Sequence, residues 1–423
     1  MSNQTISDQD TPDPWMISHG PNFYLTFTAG DRIEIWRSPN MEDFRSCART
    51  IAWRPGPADH PWFVDLWAPE LHFLDSTWYV YFTGAKPRDG PGMYNADRRT
   101  LLLRSRSRDP MEAGAWEFLG RLGGLPDHWN IDATVFRLPQ TGRLYCCYSG
   151  WPAGDFSDRQ QDLFLAEMDG PEAAKPDTVV CISRAELAWE RADQGTHGVN
   201  EGPAFVSVGM RASAAGSGAG SAAGSGSVSG EEETTLFQGI VYSANGSWTS
   251  DYRLGILQLV DGAHPLRQSS WRKRPTPLLV SDRQHGGPFG PGHASFIPSS
   301  PSDGRRRRVY CIYHATEHFD QGWANRKARV LSFSGEHFHP QAPTMCCALA
   351  LSGQWSGGAA ISNVSSPSSA SSAPAPAPAP APAVAANGAH QAQQIQNQRA
   401  HGPRKSIVDR IGDKILQKLR EFA

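Results

Sequence analysis

The chain has almost no net charge: 40 Lys and Arg stand against 42 Asp and Glu in 423 residues. A nucleic acid or charged polymer as partner normally requires an excess of one sign, so neither is expected, and a neutral substrate is compatible with the balance. No Cys/His spacing resembles a zinc site. The seven Cys are an odd number, and four of them form the doublets Cys146-Cys147 and Cys346-Cys347. Neighbours on a strand point to opposite faces, so the doublets read as buried apolar residues rather than a disulfide framework. The N-terminal stretch MSNQTISDQDTPDPWM has neither a basic nor an apolar leader region, and no run is long enough to span a membrane. The default expectation is a soluble, cytoplasmic protein, or an extracellular one if the N-terminus is incomplete. Between residues 13 and 347 there is no long helical periodicity, which disfavours a helical fold.

What the chain does have is Trp, 14 in all. In an all-β protein such residues fill the core, and some present flat apolar faces to sugars. Composition divides the chain into a polar leader at 1–12, a folded region at 13–350, a Pro/Ala-rich disordered linker at 351–403 and a short segment at 404–423. In that last segment Ile407, Ile411, Ile415 and Leu419 recur every four residues, the pattern of an amphipathic helix with a mildly basic polar face. Its apolar stripe could dock on the folded region, on a partner or on a membrane surface. Residues 211–233, ASAAGSGAGSAAGSGSVSGEEE and its flanks, read as a flexible loop inserted between two strands of a hairpin.

Within the folded region one pattern repeats. DPWMISHGPNFYLTFTAGDRIEIWRS, APELHFLDSTWYVYFTGA with TLLLRSRSRDP, DATVFRLPQTGRLYCCYSG with QDLFLAEM, EGPAFVSVG with TLFQGIVYSANGSWTSDYRLGILQL, and GHASFIPSS with RRVYCIYHATEHF and KARVLSFS each read as three strands. A Trp or Phe follows: Phe44, Trp116, Trp189, Trp271 or Phe338. Units roughly 60 to 90 residues apart, each of about four antiparallel strands, predict an all-β, five-bladed β-propeller, in which radial repetition protects the sheet edges. A pair of β-sandwiches is the alternative.

The starts of the five units carry Asp13, Glu70, Asp132, Glu201 and His293. A carboxylate opening a buried strand is costly unless something uses it. In a propeller the first strand of every unit lines the central channel, so these side chains would converge on one mouth of it. Carboxylates sharing a pocket push one another's pKa values apart, which is how acid and base roles are separated.

The ordered series PDPWMI, LWAPELHF, NIDATVF, NEGPAF and GPGHASF resembles the motifs of glycoside hydrolase family 43 over residues 13 to about 340. The resemblance implies a five-bladed propeller that hydrolyses arabinose- or xylose-containing plant glycans with inversion. It implies Asp13 as general base, Glu201 as general acid and Asp132 as the carboxylate that tunes and orients the acid. His293 is similar to the family's central His, which holds a water or a calcium ion. Arg329, in NRKARV, is similar to an Arg that braces the acidic cluster, and Trp67 resembles a sugar-contacting aromatic. No cofactor is implied as required, and a structural calcium in the channel is compatible with the resemblance.

Inverting hydrolysis needs one protonated carboxyl for the leaving oxygen and one ionised carboxylate across the ring to activate water. Glu201 must therefore hold its proton near neutral pH, which partial burial and an anionic Asp132 would favour. YSANGSWTSDYRLG at 242–255 resembles a segment of members that release terminal arabinofuranose, so an exo-acting α-L-arabinofuranosidase is expected. A β-xylosidase, an endo-arabinanase and a non-catalytic carbohydrate-binding propeller are the alternatives. SRDP at 107–110 is similar to a motif of retaining, invertase-like propellers, but it follows a third strand and reads as a turn. RRRR at 305–308 reads as a solvated hairpin turn.

Overall fold

The computed structural model describes residues 4–56, 64–86, 96–211, 233–299 and 308–347. The described residues all fall in one compact unit, 1–353. The linker at 351–403 and the amphipathic segment at 404–423 lie outside the described residues, as does the inserted loop between its ends at 211 and 233.

The described chain is all β, with no α-helix among the described residues. Unit one is an antiparallel meander of Trp15–His19, Asn22–Thr26, Ile33–Ser38 and Ala48–Trp53. Unit two repeats it with Val64–Leu74, Thr77–Ala85, Arg99–Ser105 and Trp116–Arg121. Unit three runs from Asn130–Arg137 through Leu144–Gly150 and Gln160–Gly170 to Val180–Ser183. Unit four comprises His197–Arg211, Glu233–Ala244, Arg253–Leu259 and Trp271–Lys273. Phe289–Pro298, Arg308–Thr316 and Lys327–Ser334 make unit five. The first strands touch in a closed cycle: one to two, two to three, three to four, four to five, and five back to one.

Apolar clusters fill the space between successive units. Ile35, Leu71, Trp78 and Val80 pack between units one and two. Tyr81, Leu102, Val135 and Cys146 pack between two and three. Cys147, Leu165, Ile240 and Leu257 join three to four, and Val241, Leu254, Cys311 and Phe333 join four to five. Ile6, Met16, Trp36, Ile312 and Val330 join five to one. The doublet Cys146-Cys147 thus serves two different clusters, as side-chain alternation requires.

Two features depart from the sequence reading. Residues 4–12, set apart there as a polar leader, belong to unit five. The Ile6 N–H donates to Ala328 O (3.0 Å), the Thr11 N–H to Arg326 O (2.8 Å), and the Ala328 N–H to Thr11 Oγ1 (2.8 Å). The segment takes the outer position that a fourth strand would occupy and ties the start of the chain to its last unit. Its polarity reflects what it does: Ser7 and Thr11 are buried, Thr11 through these hydrogen bonds, and Ile6 supplies the apolar contact. The aromatics that follow the units take different places: Trp116 and Trp271 begin fourth strands, whereas Trp189 and Phe338 lie on the 3-10 turns Ala188–Glu190 and Gly335–Phe338, with Phe338 stacked on Phe237 at 4.8 Å.

Candidate active site

Each unit opens with a left-handed residue at a comparable place, Asp13 (φ 54°), Ala68 (φ 44°), Asp132 (φ 55°), Gly202 (φ 49°) and His293 (φ 44°), with Asp65 (φ 56°) and Gly290 (φ 59°) as further ones in units two and five. In units two to five the ladder register slips beside that residue. These are bulges, which bend the strand and re-aim a side chain. A non-Gly residue there is strained, and such strain gathers at functional sites. The sequence alignment put Asp13, Glu70, Asp132, Glu201 and His293 in register. Asp13, Asp132 and His293 are equivalent, whereas Glu201 falls one residue before its bulge and Glu70 two residues after.

The bulges bring three of these groups together around His293. Its Nδ1 is 3.3 Å from Asp13 Oδ1 and 4.0 Å from Asp132 Oδ2. Its backbone N–H donates to Ser243 Oγ (2.7 Å). Asp132 Oδ2 accepts the Gly202 N–H (2.9 Å), which fixes Asp132 to the residue after Glu201. Gly202 must be small, because a Cβ there would stand 3.0 Å from His293 Nδ1. Asp13 Oδ2 accepts from Thr28 Oγ1 (2.7 Å), whose oxygen accepts the Ala68 N–H (2.7 Å). The Asp13 side chain is 22% exposed and that of Asp132 6%, so of the two only Asp13 readily meets water.

Burial raises the Glu201 carboxyl from its ordinary 4.5 to about 7. The charge of Asp13 pushes the same way, and Tyr252, Arg326 and Ser247 pull back. Asp132 is also raised to about 7, first by burial, with His293 opposing and the charges of Glu201 and Asp13 adding. Two buried carboxyls that resist ionising together, beside a third that meets solvent, are the electrostatics of an acid and base pair.

The cation of the site is Arg326. It is buried, its Nη1 is 2.8 Å from His314 Nε2, and it donates to Gly322 O through Nε and Nη2. Burial lowers its pKa, while Asp13, Tyr252 and Glu201 hold it up, so its charge faces the cluster. His314 Nδ1 accepts the Asp13 backbone N–H (2.9 Å), so one imidazole ties the backbone of Asp13 to Arg326, and burial with the Arg326 charge keeps the ring neutral.

The family model for glycosyl hydrolases family 43 matches residues 2–211, which include Asp13, Asp132 and Glu201. This chain belongs to family 43. It is 28% identical over 312 residues to an extracellular exo-α-(1→5)-L-arabinofuranosidase of Streptomyces avermitilis, covering 73% of this chain and 55% of that protein. To the enzyme of the same description from Streptomyces chartreusis it is 27% identical, covering 72% of this chain and 80% of that one. The chain thus spans about half the length of the first relative. Among solved structures, an α-L-arabinofuranosidase from Lactobacillus brevis superposes with a TM-score of 0.62 at 25% identity, covering 77% of this chain and 90% of that one.

The comparisons correct one expectation. Both Streptomyces relatives are named as extracellular, which points to secretion and overturns the cytoplasmic location inferred from the lack of an apolar leader. No described helix is long and apolar enough to cross a membrane.

Within the family 43 site, not every residue singled out in the sequence sits at the cluster. Arg329 pairs with Glu317 (3.7 Å) and faces Tyr313, while Arg326, three residues earlier in the same NRKARV motif, reaches the carboxylates. An odd spacing along an extended chain puts the two on opposite faces. Trp67 is half-buried, with the Arg98 guanidinium 4.0 Å over its ring. Glu70 is buried behind the site, bonded to His72 Nε2 (2.8 Å) and close to Thr134 and Asp132, and burial raises its pKa. Among the described residues no group of three His, Cys, Asp or Glu side chains could hold a metal ion directly.

Thr28, Ser243, Tyr252, His314 and Arg326 escaped the sequence reading. His314 carried the same signal that marked Glu201, a polar side chain inside an apolar strand, here VYCIYHAT. Ser243, Ser247 and Tyr252 lie in the segment YSANGSWTSDYRLG, which the sequence used for sugar preference and which also supplies three neighbours of the acid and His293.

Proposed function

We propose that this chain is an inverting glycosidase, an exo-acting α-L-arabinofuranosidase, built as a five-bladed β-propeller. The closed cycle of first strands and the apolar cluster between every neighbouring pair of units support the propeller. The observation that carries the chemistry is the meeting of Asp13, Asp132 and the strand of Glu201 around His293, with the Glu201 proton retained to about pH 7.

Glu201 donates its proton to the glycosidic oxygen as the bond to the anomeric carbon breaks. Asp13, the more exposed carboxylate, takes a proton from the water that attacks the opposite face of the ring. Such a mechanism needs the two carboxyls about 6.5–9.5 Å apart, to leave room for that water. Asp132 holds the Gly202 N–H, fixing the strand that presents Glu201, while burial and the charge of Asp13 favour the protonated acid. Arg326 faces both Asp13 and Glu201, so it offsets the negative charge that moves from one to the other during turnover.

The names of the relatives, with the motif series, support arabinofuranose as the sugar released. The test is turnover of nitrophenyl α-L-arabinofuranoside beside nitrophenyl β-D-xyloside, with sugar release from arabinan oligosaccharides followed in parallel. Preference for the arabinofuranoside and stepwise release of single arabinose units are expected. Preference for the xyloside, or release of internal fragments, would refute the assignment.

A further inference from the structure

Beside Glu201 stand two indoles that the mechanism does not use. The Trp323 Nε1–H donates to Ser247 Oγ (3.1 Å), and the Ser247 hydroxyl is among the groups that pull the Glu201 pKa down. Trp248, next to Ser247 in the chain, has its ring centroid 5.9 Å from that of Trp323, with the two planes tilted by 59°. The Trp248 Nε1–H donates to Asp193 Oδ1 (3.3 Å), and His197 lies edge-on at 6.3 Å. Both indoles are half-buried. Each has its single donor engaged by a neighbour, which fixes the ring and leaves its face to offer. Two tilted apolar faces make an open angle of the kind on which the flat side of a sugar ring packs.

Their place decides which sugar. A general acid protonates the oxygen that leaves, so groups beside it face the departing part of the substrate and not the arabinose being released. Trp323 is bonded to the hydroxyl of Ser247, which acts on that acid. We propose that Trp248 and Trp323 form the platform that binds the sugar on the leaving-group side of the scissile bond. This rests on the arabinofuranosidase reading and deepens it: the chain selects substrates whose next residue is itself a sugar.

The test compares an α-1,5-linked arabino-oligosaccharide with α-L-arabinofuranosyl fluoride, whose leaving group has no ring. For Trp248→Ala, the ratio of kcat/KM on the oligosaccharide to kcat/KM on the fluoride should fall about tenfold, carried by KM, as loss of one aromatic stack implies. Trp248→Phe should restore most of the ratio, and Trp323→Ala should lower it as Trp248→Ala does. An unchanged ratio in a folded Trp248→Ala protein overturns the platform while leaving the arabinofuranosidase reading in place. A wild-type chain inert to both substrates overturns that reading and the platform with it.

Discussion

Replacing Glu201 with Gln should make the protein more stable, and only above a defined pH. The Glu201 carboxyl is almost fully buried, and its pKa rises from the ordinary 4.5 to about 7, chiefly through burial. Below about pH 4.5 the group is neutral whether the chain is folded or unfolded, and it contributes nothing. Between 4.5 and 7 the unfolded chain ionises it while the folded chain does not, so stability falls as pH rises. Above about 7 both states are ionised and the loss is complete. At about 1.4 kcal/mol per pKa unit, the loss is about 3 kcal/mol. Gln has nearly the same shape and no proton to lose. Denaturant unfolding at pH 4.5 and pH 8 should therefore show the variant's advantage growing by about 3 kcal/mol between the two. Removing the Glu201 charge also relaxes its push on Asp132, which acts in the same direction. Any fixed difference in hydrogen bonding adds equally at both pH values and cancels. A stability difference that does not grow with pH would refute the claim that Glu201 holds its proton in the folded protein.

Thr28→Val removes a hydrogen bond to Asp13 and strands the Ala68 N–H, so kcat should drop by about ten- to a hundredfold, as for a bond to a charged group, measured on an arabinofuranoside. Arg326→Met should lower kcat by about two powers of ten, because the only cation facing both Asp13 and Glu201 among the described residues is gone. Arg329→Met should change kcat by less than about threefold, and equal losses in the two variants would return Arg329 to the site. A chain ending at Gly353 should keep its turnover, since every residue assigned to the site lies in the compact unit 1–353. A large loss in a folded truncated protein would place part of the site beyond it.

The carboxylates were legible in the sequence because a charge is costly inside an apolar strand, so Asp132 and Glu201 stood out against NIDATVF and NEGPAF. The repeat of strand, turn and aromatic strand gave the five units, and the Cys doublets gave a first view of which faces are buried. The bulges were not legible. Gly202 is the type such a backbone favours and Asp13, Asp132 and His293 are types that tolerate it, but those types occur throughout the chain and nothing marks Ala68. Without the bulges the alignment of Glu70 and Glu201 was off by one or two residues. The choice between Arg326 and Arg329 turns on where the last strand begins, a boundary that periodicity does not fix. The role of residues 4–12 was hidden because they are held by backbone and hydroxyl hydrogen bonds, which composition reads as solvent exposure.

The most direct test of the account is the anomeric form of the first product. Turnover of an α-L-arabinofuranoside followed by proton NMR, before mutarotation, should show the β-anomer appear first. Asp13 then activates water on the face opposite the bond that Glu201 protonates, as single-step displacement requires. The α-anomer appearing first would mean two displacements through a covalent intermediate, and would contradict the roles assigned to both residues.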